Sequence, residues 1–293
     1  MSIYSSFDQT TLDREYSPSS CVDDLRIYVD QYTSESRKAK EAAIEQGSCL
    51  SDLPYGAEED ELLDLFLPDA TSGAPLHIYI HGGYWQALSK NDSSFAATMF
   101  QNHGSFFAAL GYSLAPKVSL TEVVAQNRHA IAWLYHQSFR WGFDRDRIFL
   151  SGSSAGAHLT MMMLMTDWEH YGLPPDVIKG VCAVSGIYDL EPIRLSYVND
   201  LLGMDPGEAR ANSPALQDIL NHAPVILAYG DNETSEFRRQ TDTYREQLLQ
   251  ADEEVCFNEI ADRNHFNVIM DLGNSDTWIA RQVLQQMGLL DNL

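Results

Sequence analysis

The feature that most constrains this 293-residue chain is an alternation of short apolar runs with helix-length stretches. The runs FFAALGY (106–112), RIFLSG (147–152), KGVCAVSG (179–186) and PVILAYG (224–230) read as buried strands, preceded by LHIYI (76–80) and followed by EVCFNEI (254–260). Helical stretches fall between them at 91–102, 119–139, 155–168, 193–202 and 234–250, with a last helix near 275–288. Strands separated by helices cannot pair as tight hairpins. They predict an α/β class, with a mostly parallel central sheet and helices on both faces. In such sheets chemistry collects at the carboxyl ends of the strands.

Two segments stand outside that rhythm. ELLDLFLP (61–68) alternates and predicts an edge strand closed by Pro68. Residues 1–47 predict a helical N-terminal extension stopping at Gly47. Two roles are open for it: a lid over the strand ends, or an arm that packs a homodimer. The whole of 1–293 is expected to form one domain.

Composition closes off several function classes. Asp+Glu outnumber Lys+Arg by 42 to 19, a formal charge of −23. Such a surface repels phosphate backbones and anionic headgroups, so nucleic-acid and membrane partners are not expected. Solubility is the simple reading of the charge, and steering of a cationic substrate the sharper one. Cys21, Cys49, Cys182 and Cys256 are far apart and form no metal or C-x-x-C spacing. Reduced thiols, no basic-then-apolar leader and no apolar run of about 18 residues together predict a cytoplasmic protein. No metal and no cofactor is expected, since neither H-E-x-x-H nor a dinucleotide fingerprint occurs.

Gly152-Ser153-Ser154-Ala155-Gly156 matches G-x-S-x-G between a predicted strand and a predicted helix. A sharp turn there exposes the Ser154 hydroxyl, and the helix N-terminus beyond it offers free N–H groups. His81-Gly82-Gly83-Tyr84-Trp85 follows LHIYI and occupies the place of an oxyanion turn. Gly82, Gly83 and Tyr84, joined by Ala155, are the candidate donors; His81 reads as a structural residue. A hydroxyl needs a base. Of nine histidines, His265 alone lies beyond a late strand with little chain after it. The acid belongs after PVILAYG, where Asp231 and Glu233 compete and residue physics does not separate them.

Together these segments resemble the arylformamidase (kynurenine formamidase) branch of the α/β-hydrolases. The resemblance rests on LDREYSPS (12–19), HGGYW (81–85), WGFDRDRIFLSGSSAGAHL (141–159), SGIYDLEPI (185–193), ETSEFRRQ (233–240) and NHFNVI (264–269). It implies an α/β-hydrolase fold, Ser154 as nucleophile and His265 as base. The family's acid is an Asp ahead of a short Glu-Phe segment; this chain has Glu233 there, which favours Glu233 over Asp231. Ser153 is a second departure, standing where the family often has His.

The implied reaction is hydrolysis of a small acyl amide, formyl in particular, of an aryl amine. A carboxylesterase acting on short acyl esters would use the same machinery, and a non-catalytic binding protein on this fold is the remote reading. Trp85, Ser153, Tyr188 and Phe266 flank the expected pocket. Arg263 and Arg238 are the nearest candidates for meeting a substrate carboxylate.

Overall fold

The computed structural model describes residues 2–70 and 72–290. In chain order the elements are α1 (Gln9–Glu15), α2 (Leu25–Glu45), β1 (Cys49–Pro54), β2 (Leu62–Phe66), β3 (Ala74–Ile80), α3 (Ala97–Asn102) and β4 (Phe106–Leu110). They continue with α4 (Leu120–Trp141), β5 (Phe143–Ser153), α5 (Ala155–Leu164), β6 (Ile178–Val184), α6 (Glu191–Leu195), α7 (Asn199–Leu202) and α8 (Pro206–Ala211). The chain ends through β7 (Val225–Asn232), α9 (Ser235–Gln250), β8 (Val255–Asn264) and α10 (Trp278–Gln286).

The eight strands form one sheet in the order β1-β2-β4-β3-β5-β6-β7-β8. β1 and β2 run antiparallel to their neighbours, and every other pairing is parallel. Period-2 alternation along each strand divides the core in two. Leu76, Ile78 and Ile80 of β3 join Leu150 of β5 on the face covered by α4, α5 and α9. Tyr79, Phe107 and Phe149 point the other way, against α3, α10 and part of α2.

Three expectations change. ELLDLFLP is an inner strand, because β1 lies outside it. CLSDLP carries too little apolar alternation to announce itself, and its Pro54 is tolerated because an outer edge has no neighbour to receive an N–H. The stretch 193–202 is two short helices, α6 and α7, parted at Ser196–Val198. At 91–102 only α3 is α-helical, preceded by a 3-10 turn at Lys90–Asp92. Among the described residues no helix is long and apolar enough to cross a membrane.

Candidate active site

β5 runs directly into α5, and Ser154 is the joint. Its φ of 57° and ψ of −120° lie where residues with a side chain rarely go, at a cost on the order of 1–3 kcal/mol. Two backbone bonds hold it there: Ser154 N–H donates to Val184 O at 2.9 Å, and His158 N–H donates to Ser154 O at 3.1 Å. The turn also needs glycine on both sides. A Cβ on Gly152 would stand 2.3 Å from Gly156 O, and one on Gly156 would stand 2.0 Å from Ile80 O. With its own amide spent, Ser154 leaves the next one, Ala155, as an orphan donor of the first helical turn.

The turn after β3 is the second part. Gly83, Tyr84 and Trp85 have φ of 95°, 53° and 60°, three consecutive left-handed residues. Successive amides in such a turn converge and make an anion-binding concavity. Gln86 and Ala87 both donate to Gly83 O, at 2.9 and 3.0 Å, which closes the turn on itself. Among the described residues the amides of Gly83 and Tyr84 have no acceptor, and both residues face the cavity that Ser154 faces. Gly82 brings this turn against the serine: a Cβ there would meet Ser153 O at 2.7 Å. His81 braces it from behind. Its Nδ1–H donates to Gly82 O at 2.9 Å, its ring stacks on Tyr112 at 4.1 Å, and Tyr112 Oη donates to His81 O at 2.8 Å. Burial lowers the His81 pKa to about 4, so it is neutral at pH 7.

The third part joins the loops after β7 and β8. His265 Nδ1 donates to Glu233 Oε2 at 2.8 Å. Glu233 Oε1 accepts from Ser185 Oγ at 2.5 Å and from Gly230 N–H at 2.7 Å. The carboxylate is buried, yet three donors compensate it. Both oxygens are directed, so the imidazole has one orientation, with Nε2 left for the cavity. Asp231 is exposed and accepts the amides of Asp262 (3.1 Å) and Arg263 (3.2 Å). It ties the two loops together at the surface and makes no hydrogen bond to His265. Ser185 was not singled out in the sequence. Its signal was there: a lone polar residue at the carboxyl end of apolar β6, level with the other site residues.

Ser154, His265, Gly82, Gly83 and Tyr84 share a cavity of about 340 Å³. Ser153 and Phe266 line it as well, whereas Trp85 and Tyr188 do not. Trp85 is fully buried edge-on to His158 at 4.9 Å, and Tyr188 stacks on Tyr244 at 4.3 Å. Both rings complete the core, since a large aromatic beside a strand end gains more from packing than from facing water. Arg263 pairs with Asp271 at 3.0 Å and Arg238 with Glu259 at 3.3 Å. Neither reaches the cavity, and no Lys or Arg lines it among the described residues.

The N-terminal segment supplies a wall that includes Pro18, Leu25 and Tyr32. It is fastened to both loops of the third part. Glu15 Oε2 accepts from Ser235 N–H (3.0 Å) and Oγ (2.6 Å), capping α9 two residues after Glu233. Tyr84 Oη donates to Tyr16 O at 2.7 Å, and Tyr32 Oη donates to Phe266 O.

This is the architecture of an α/β-hydrolase. A family model described as BD-FAE matches residues 63–248. Kynurenine formamidase from Danio rerio is 36% identical over 98% of this chain and 99% of its own length. The Salmo salar kynurenine formamidase is 35% identical over the same shares. A solved structure described as a thioesterase from Silicibacter sp. TM1040 superposes with a TM-score of 0.80 at 27% identity, covering 92% of this chain and 97% of that one. The chain belongs to the kynurenine formamidase family, and it is a hydrolase.

Proposed function

We propose that this hydrolase cleaves the formamide of an aryl amine, with N-formylkynurenine as the reference substrate, through Ser154, His265 and Glu233. The reading is carried by the 2.8 Å pairing of buried Glu233 with His265, which lines the cavity that Ser154 also faces. Relatives of nearly equal length at 35–36% identity that are kynurenine formamidases support it.

Ser154 Oγ attacks the formyl carbon while His265 Nε2 takes the hydroxyl proton. Negative charge then develops on the carbonyl oxygen. The amides of Gly83, Tyr84 and Ala155 receive it, each such donor contributing roughly 3–4 kcal/mol. Glu233 stays ionised and stabilises the imidazolium. His265 returns the proton to the departing aryl amine as the C–N bond breaks, leaving a formyl ester on Ser154. A water deprotonated by His265 attacks that ester, and formate leaves as Ser154 regains its proton. The N-terminal segment serves as a fixed wall of the pocket in this reading.

The test is turnover of N-formylkynurenine beside p-nitrophenyl acetate, with Ser154→Ala as blank. Formamide cleavage that vanishes in the variant is expected. Ester cleavage alone would make the protein a short-acyl carboxylesterase, with the same three residues in the same roles.

A further inference from the structure

One charged side chain of the cavity is unused by this mechanism. Asp92 stands in its wall, at the end of the 3-10 turn Lys90–Asp92. Asp92 Oδ1 accepts from Thr33 Oγ1 at 2.7 Å, and Oδ2 accepts from Ser89 Oγ at 3.0 Å. Hydroxyl donors orient a carboxylate without cancelling its charge, and each oxygen keeps a further acceptor site.

The neighbouring lysines do not cancel it either. Lys90 reaches Asp52 at 2.6 Å and Asp64 at 2.9 Å, and Lys40 reaches Asp64 at 2.6 Å. Two cations meet two carboxylates, which closes that account and leaves Asp92 out. Among the described residues Asp92 has no salt-bridge partner, and the cavity has no Lys or Arg. The two histidines there are committed through Nδ1, His81 to Gly82 O and His265 to Glu233. The rest of the wall is largely aromatic and aliphatic, with Tyr32, Phe266 and Ile269 prominent. A fixed charge beside such surfaces acts on a ligand more strongly than it would in water.

We infer that Asp92 determines specificity for an ammonium group on the substrate, so that the preferred class is aryl formamides carrying an aliphatic amine. The inference rests on the formamidase reading of the site. Kynurenine's amino-acid side chain bears both an ammonium and a carboxylate, and this cavity holds a counter-charge for the first alone. The ammonium is therefore the group recognised, and the carboxylate is dispensable.

Three formamides separate these contributions: N-formylkynurenine, its decarboxylated analogue N-formylkynuramine, and its deaminated analogue, which keeps only the carboxylate. Wild type should turn over the two ammonium-bearing compounds with similar kcat/KM and the deaminated one about tenfold less well, as expected for loss of a charge-assisted contact. Asp92→Asn should abolish that preference and Asp92→Glu should keep it. Equal turnover of all three by wild type, or a common fall in all three in Asp92→Asn, would overturn the inference. Kynuramine as a competitive inhibitor of p-nitrophenyl acetate hydrolysis provides a second readout. Its inhibition constant should rise about tenfold in Asp92→Asn; an unchanged constant counts against Asp92. If only the ester is cleaved, the formamidase reading fails by itself, and the inhibition assay still decides whether Asp92 holds an ammonium.

Discussion

The sheet holds a buried serine–histidine hydrogen bond a few residues from Ser154, the proposed nucleophile, and the two serines differ in what surrounds them. His77 Nε2 and Ser151 Oγ are 2.6 Å apart on β3 and β5, both fully buried. Three residues past Ser151 the chain reaches Ser154, which shares a cavity with His265. The inner pair is a well-formed hydrogen bond with no carboxylate behind the histidine. Phe100 stacks on its ring at 4.1 Å, and His77 Nδ1 has no partner among the described residues. The outer pair has Glu233 behind it, a strained turn beneath it and open volume before it. Closeness of hydroxyl to imidazole is thus the least informative part of such a site; the group behind the histidine and the access in front of it carry the distinction.

Ser154→Ala should cut kcat/KM at least about a thousandfold with the fold intact, whereas Ser151→Ala should leave turnover near wild type. Inactivity of the Ser151 variant in a folded protein would show that the inner pair matters to chemistry. Glu233→Gln should also cost about a thousandfold, because an amide cannot stabilise imidazolium. Retained activity there would move the acid elsewhere.

The next effect is on stability. Burial lowers the pKa of His77 to about 3 and those of His81 and His158 to about 4. Between about pH 4 and 6.5 the unfolded chain binds these protons and the folded chain does not. Their contribution is therefore whole above about pH 6.5 and falls as pH drops through that window, by about 4 kcal/mol per pH unit at its steepest. Denaturant midpoints at pH 7, 6 and 5 measure it, and a flat profile would mean that these rings accept protons in place.

Ser151→Ala should then lower the unfolding free energy by about 1–3 kcal/mol, since it strips His77 of its remaining partner. Asp231→Asn should be the mildest change, under about 1 kcal/mol with little effect on rate, because its two backbone bonds are exposed. A large rate loss there would reopen the competition between Asp231 and Glu233.

The strand–helix rhythm was legible because six apolar runs are long and cleanly bounded. β1 was not, because CLSDLP has the composition of a loop and is a strand only through its pairing with β2. Ser154 and His265 stood out by motif and position. Asp231 and Glu233 lie two residues apart, and the course of the loop decides which one turns inward. Trp85 and Tyr188 illustrate a different difficulty. Position along the chain placed them at the strand ends, but whether a ring faces the cavity or the core depends on neighbours distant in sequence, His158 for Trp85 and Tyr244 for Tyr188. Asp92 was hidden for the same reason: in the sequence it is one of 42 acids, and only the pairing of Lys40 and Lys90 elsewhere isolates it.

The fastening of the N-terminal segment bears on the order of assembly. Residues 15, 16 and 32 emerge first during synthesis, and their partners at Ser235, Glu236 and Phe266 lie more than 200 positions later. Before those arrive, α2 already meets Asp92 and Asp64 through Thr33 and Lys40, and β3 to β6 can pair. His265 and the Phe266 wall come with the late segment, so the pocket cannot be completed before β7 and β8 have joined the sheet.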